Sequence, residues 1–100
     1  MENEREIEPQ LNTKDAKELY KALTSISNEK DMALFLRDLL TIEEIEEAIR
    51  RFRVARLLED GKTFREIADQ TRMSTATIAR INYWLNHGTG GYRKALEKIT

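Results

Sequence analysis

No cysteine occurs in the 100 residues, proline occurs once and glycine four times. The first absence excludes disulfides and thiolate metal sites and fits a reducing compartment. The scarcity of the other two leaves little chain for irregular loops, so an almost wholly helical fold is expected. No apolar run is long enough for a signal peptide or a membrane span, so no membrane partner is expected and the cytoplasm is the expected location. Histidine is equally scarce. His87 stands alone, and no carboxylate pair has a useful spacing, so no constellation for an enzyme is present. Neither a metal nor a cofactor is expected. His87 precedes Gly88, a place where imidazole complements a helix C-terminus. A chain of this length makes one domain.

Charge is balanced overall and unbalanced along the chain. Lys and Arg number 17 against 18 Asp and Glu, a net charge of −1. Residues 1–60 hold 10 basic and 15 acidic side chains (−5), and residues 61–100 hold 7 and 3 (+4). A basic C-terminal part suits a polyanion, while the acidic part must do something else.

Residues 1–12 are acidic, poor in apolar side chains and broken by Pro9, which predicts a disordered or loosely held arm ahead of a domain over 13–100. Six helices and no strand are expected in that domain. Asn12 or Thr13 caps the first, whose apolar residues Ala16, Leu19, Tyr20, Leu23 and Ile26 recur at helical spacing. Asn28 caps the second, Glu29 to Leu40. Met32, Ala33, Leu34, Phe35, Leu36, Leu39 and Leu40 make that helix apolar nearly all round. Too few helices remain to cover it, so a second copy of the chain is the expected neighbour. The alternative is that the other helices wrap it.

Thr41-Ile42-Glu43-Glu44 is a capping box that opens a third helix, with Ile45, Ala48, Ile49, Phe52, Ala55, Leu57 and Leu58 inward and Gly61 as its left-handed cap. Thr63 with Glu66 is a second capping box, for a short helix with Ile67 and Ala68 inward. Ser74 caps the next helix, whose apolar positions are Ile78, Ile81 and Leu85. A small residue at Ala68 permits a close crossing, and Ile78 plugs the angle. That spacing is a helix-turn-helix, whose second helix enters a DNA major groove. An ordinary helical hairpin is the competing reading. The turn wants a residue at positive φ, and Arg72 or a neighbour stands there instead of glycine. Asn86 to Gly91 is glycine-rich but has no preceding strand and no following Lys-Ser/Thr, so it reads as a C-cap and hinge before a closing helix, Tyr92 to Ile99.

The expected DNA-binding set is Lys62, Arg65, Arg72, Ser74, Thr75, Ala76, Thr77 and Arg80, with Lys62, Arg65 and Arg72 toward phosphates. Thr75 and Thr77 offer hydroxyls, and Ala76 offers a methyl contact to thymine. The leading expectation is a sequence-specific, homodimeric regulator of transcription, a repressor, with double-stranded DNA as partner. The other is a helical protein-interaction module with a vestigial helix-turn-helix.

Three pieces, Leu40-Thr41-x-x-Glu44, Leu57-Leu58-x-x-Gly61 and Ala76-Thr77-Ile78-Ala79-Arg80, carry a resemblance to the Trp repressor superfamily. The chain is most similar to its Trp-repressor-related YerC/YecD-type branch, over about residues 13–99. The resemblance implies an all-α, Trp-repressor-like fold in an intertwined dimer. It also implies a corepressor pocket. Thr41, Arg51, Thr77 and Arg80 match pocket positions, Arg51 and Arg80 as the arginines that sandwich an indole. Ile81 stands where the family has glycine, and Trp84 where it has a serine that holds the ligand's amino group. The pocket is therefore expected to be vestigial and filled by Ile81 and Trp84, with L-tryptophan not expected as effector.

Overall fold

The computed structural model describes residues 7–99. They form a single 3-10 turn, Pro9–Leu11, and six helices, α1 Lys14–Ser25, α2 Glu29–Leu39, α3 Ile42–Glu59, α4 Phe64–Thr71, α5 Thr75–His87 and α6 Gly91–Ile99. No strand occurs among the described residues, so the all-α, six-helix expectation holds. The arm expected over residues 1–12 lies partly outside the described residues. Pro9 opens the 3-10 turn, where its fixed φ is an advantage, and the Tyr20 hydroxyl donates to the Leu11 carbonyl at 2.7 Å.

The chain divides into two units, one reaching to Ile45 and one from Glu46 onward. In the first, each helix begins at a side-chain cap. Thr13 Oγ1 accepts from the Ala16 N–H at 3.0 Å, and Asn28 Oδ1 accepts from the Asp31 N–H at 2.9 Å. Thr41 and Glu44 complete the reciprocal box, at 2.9 and 3.1 Å, that starts α3. Leu40 therefore falls outside α2, in extended backbone with φ −122° and ψ 158°. Caps supply helix ends, but they supply no core. No residue of α1 or α2 is buried. Leu34 and Leu39 are 57% and 45% exposed, while Phe35 and Leu36 are half-buried.

The second unit owns the core. Val54 and Ala55 of α3, Ile67 of α4, Ile78, Ile81 and Leu85 of α5 and Leu96 of α6 are all buried. Each large apolar side chain so covered contributes about 1.5–3 kcal/mol relative to exposure. The inward set expected for α3 needs correcting. Val54, between Arg53 and Ala55, is inside, whereas Ala48 is exposed and Ile49 is 62% exposed. Apolar residues lie on more than one side of α3, so periodicity alone does not choose the covered side. The turn after α3 is a Schellman closure. The Gly61 N–H donates to Leu58 O at 3.0 Å and the Lys62 N–H to Leu57 O at 3.1 Å, with Gly61 at φ 85°.

Candidate nucleic-acid interface

Thr63 and Glu66 form the expected capping box, with the Thr63 N–H donating to Glu66 Oε1 at 2.8 Å and the Glu66 N–H to Thr63 Oγ1 at 3.1 Å. The Thr63 backbone N–H, and after it the Thr63 hydroxyl, hold the Glu66 carboxyl below the usual glutamate range. α4 ends at Arg72, whose φ of 62° and ψ of 18° are left-handed, as the missing glycine suggested. A side chain there costs about 1–2 kcal/mol. Thr71 offsets part of that cost, and nothing in the spacing had singled it out. It is buried, its hydroxyl donates to Ile67 O at 2.7 Å, and it accepts from the Met73 N–H at 3.3 Å. One threonine thus satisfies both sides of the break. From α3, Arg53 Nη1 donates to Gln70 O at 3.4 Å, which ties the end of α4 to the scaffold.

Ser74 caps α5. Its Oγ accepts from the Thr77 N–H at 3.1 Å and lies 3.0 Å from Thr77 Oγ1. With Ile78, Ile81 and Leu85 buried, a helix turning about 100° per residue points Ala76, Ala79, Arg80 and Tyr83 the opposite way. All four are exposed, as is Thr75. Thr77 belongs elsewhere. It is half-buried and shares an open polar cleft of about 470 Å³ with Glu47, Arg50, Thr71, Arg72, Met73 and Ser74. The hydroxyls of Ser74 and Thr77 are thus engaged with one another, and Thr75, Ala76 and Arg80 form the outward set. Lys62, Arg65 and Arg72 are exposed at the loop, the first turn of α4 and the break. Ala79 and Tyr83 complete the outward stripe; their spacing of three and seven from Ala76 was the signal for them. No Asp or Glu occurs anywhere in α5.

Of the residues matched to a corepressor pocket, Thr77, Arg80, Ile81 and Trp84 share α5 and Arg51 lies on α3. Thr41 belongs to the first unit and uses its hydroxyl in the capping box. Arg51 Nε pairs with Glu47 Oε2 at 3.2 Å on the surface of α3. Arg80 is exposed and has no ion pair among the described residues. Ile81 is 1% exposed, part of the core. Trp84 differs from Ile81 in exposure. It is 51% exposed, edge-on to Tyr83 at 5.5 Å, and it lines an open cavity of about 390 Å³ with Phe52, Gly88, Thr89, Tyr92 and others. Three residues beyond Ile81, Trp84 falls at the margin of the buried arc, so only Ile81 reaches inside. Among the described residues no group of three or more His, Cys, Asp or Glu could hold a metal ion, and no helix is long and apolar enough to cross a membrane.

This fold has relatives. An uncharacterized protein of Bacillus subtilis, YerC, is 36% identical over 89 residues, covering 89% of this chain and 86% of its own. The crystal structure of a TrpR-like protein from Eubacterium eligens superposes with a TM-score of 0.87 at 36% identity, covering 92% of this chain and 95% of that one. A provisionally assigned Trp repressor from Staphylococcus aureus gives 0.84 at 30% identity and 90% of each chain. The family of the Trp repressor protein, one of DNA-binding regulators rather than enzymes, matches residues 14–100. With the break at Arg72, the capped α5 and its outward stripe already in place, this chain belongs to the Trp repressor family.

Proposed function

We propose that the protein is a sequence-specific regulator of transcription, a cytoplasmic homodimeric repressor that binds duplex DNA without needing tryptophan. The observation that carries the reading is α5 itself. Its inner side is locked by Ile78 and Ile81, at 0% and 1% exposure, while Thr75, Ala76 and Arg80 stand free on the other side of a helix without acidic residues. Thr75 and Ala76 read base edges from the helix start, and Lys62, Arg65 and Arg72 meet phosphates. The dimer draws its support from α2, none of whose apolar side chains is fully buried within the described chain. Two copies related by a two-fold axis read an inverted repeat with half-sites about 34–36 Å apart. Tryptophan independence follows from the Ile81 side chain, which occupies core volume at the place where the family resemblance calls for glycine.

The test is a pooled-oligonucleotide selection with the purified protein, repeated with millimolar L-tryptophan. An enriched palindrome, the same in both arms, is the expected result. A tenfold gain in affinity on adding tryptophan overturns the effector-free part. No duplex preferred over random DNA at any salt concentration favours the interaction-module reading, for which the acidic N-terminal half is the docking surface.

A further inference from the structure

The helix-turn-helix is held at its front end by caps and core. A separate set of polar contacts holds the other end of α5. Arg93, near the start of α6, pairs through Nη1 with Glu59 at the last turn of α3. Its other terminal nitrogen, Nη2, donates to Asn86 Oδ1 at 2.7 Å. The Asn86 amide nitrogen then donates to Asn82 O at 2.9 Å and Asn82 Oδ1 at 3.1 Å. One guanidinium therefore joins α3, α5 and α6, and the chain of contacts continues down α5 by a full turn.

The loop before α6 is shaped to deliver that arginine. The Gly88 N–H donates to Trp84 O at 2.8 Å, and a Cβ on Gly88 would lie 2.4 Å from the same oxygen. Gly90 has φ +93°. Two positions that only glycine fills comfortably let the chain reverse within a few residues and bring Arg93 back onto Asn86. A planar fork serves two acceptors at once, which a lysine cannot do with the same geometry.

Resting on the DNA-binding reading above, we propose that Arg93 is a positioning residue for α5: with Glu59 and Asn86 it braces the C-terminal half of the recognition helix, so that its direction is set from within the chain. None of Arg93, Asn86 and Asn82 lies among the residues assigned to DNA. The brace acts on the helix that carries them.

Charge and positioning predict opposite signs for one substitution, which makes the proposal testable. Glu59→Ala removes a negative charge from the basic unit, so electrostatics alone tightens binding to every duplex. Loss of the brace weakens binding to the selected palindrome by about three- to fivefold, the upper range for partly exposed ion pairs, and leaves random duplex unchanged or tighter. The measurements are the ratio of the two dissociation constants and amide hydrogen exchange across Asn82–His87 in the full-length protein. The expected result is a lower ratio and faster exchange there in Glu59→Ala, with α4 amides unchanged. If Glu59→Ala lowers the unfolding midpoint yet keeps wild-type selectivity and exchange, the contacts only stabilise the fold and the positioning role is overturned. A wild type that selects no duplex overturns the DNA-binding reading itself, a different failure from a selective wild type indifferent to Glu59.

Discussion

The two units of this chain are both helical, and they are helical for different reasons. From Lys14 to Leu39 the helices stand on their caps, Thr13 and Asn28, and none of their side chains is buried. From Glu46 to Ile99 the helices share a core in which Val54, Ala55, Ile67 and Ile78 are fully covered. Isolated helices of 11 or 12 residues, the lengths of α2 and α1, are marginal in water, and caps contribute only about 1 kcal/mol each. A core stabilises its helices without outside help. The first unit leaves Leu34 and Leu39 half exposed, whereas the second carries the candidate interface on a scaffold already closed. On the DNA-binding reading, the helix that must be held steady lies on the self-sufficient part.

The sharpest way to break this contrast is to empty the core. Ile78→Ala, at a site with 0% exposure, is expected to cost about 2–5 kcal/mol in urea unfolding and to abolish selective DNA binding with it. The counterpart in the other unit is Leu34→Asp with Leu39→Asp. On the dimer reading these convert a dimer into monomer in sedimentation at micromolar concentration. The unfolding midpoint, which rises with wild-type concentration by mass action, then stops doing so. A wild type that sediments as a folded monomer ends the dimer reading and leaves the contrast between the units without its explanation.

A smaller effect separates stability from binding at the break between α4 and α5. Arg72→Gly relieves left-handed strain at φ 62° while loosening the unfolded chain, for a net gain of at most about 1 kcal/mol. On the DNA-binding reading it also removes a cation from the side that faces DNA. The expected outcome is a higher melting temperature together with weaker binding to all duplexes and a shallower salt dependence. The least effect concerns Glu66. Its carboxyl is held low by the Thr63 backbone N–H in the folded state, so the folded form binds its proton less readily than the unfolded form does. Its contribution is present above the usual glutamate range and lost as pH falls through the lowered folded value. Thermal melts of the wild type and Glu66→Gln should therefore converge at acid pH and separate at neutral pH, with the wild type higher.

Much of this was readable before any coordinates. The starts of α1, α2, α3, α4 and α5 were legible in Thr13, Asn28, Thr41, Thr63 and Ser74. So was the left-handed residue at Arg72. Each of these depends on atoms within four residues along the chain, where hydroxyl, amide and backbone N–H must meet regardless of what surrounds them. Pro9 lies within the same range but is ambiguous, because proline ends a helix from inside and begins one from its first turn.

The rest was decided by partners far away in the chain. Val54 lies inside and Ile49 outside because neighbouring helices cover one arc of α3 and not another, a choice on which the apolar period is silent. Ile81 and Trp84 are three residues apart on α5, yet one is core and the other is half exposed, since the covered arc ends between them. Thr77 turns toward Glu47 and Arg50 and leaves the outward stripe to Thr75, Ala76 and Arg80. Arg93 finds Glu59 across 34 residues. Local chemistry settles where a helix begins and stops, and a side chain's surroundings are settled only when separate helices come together around it.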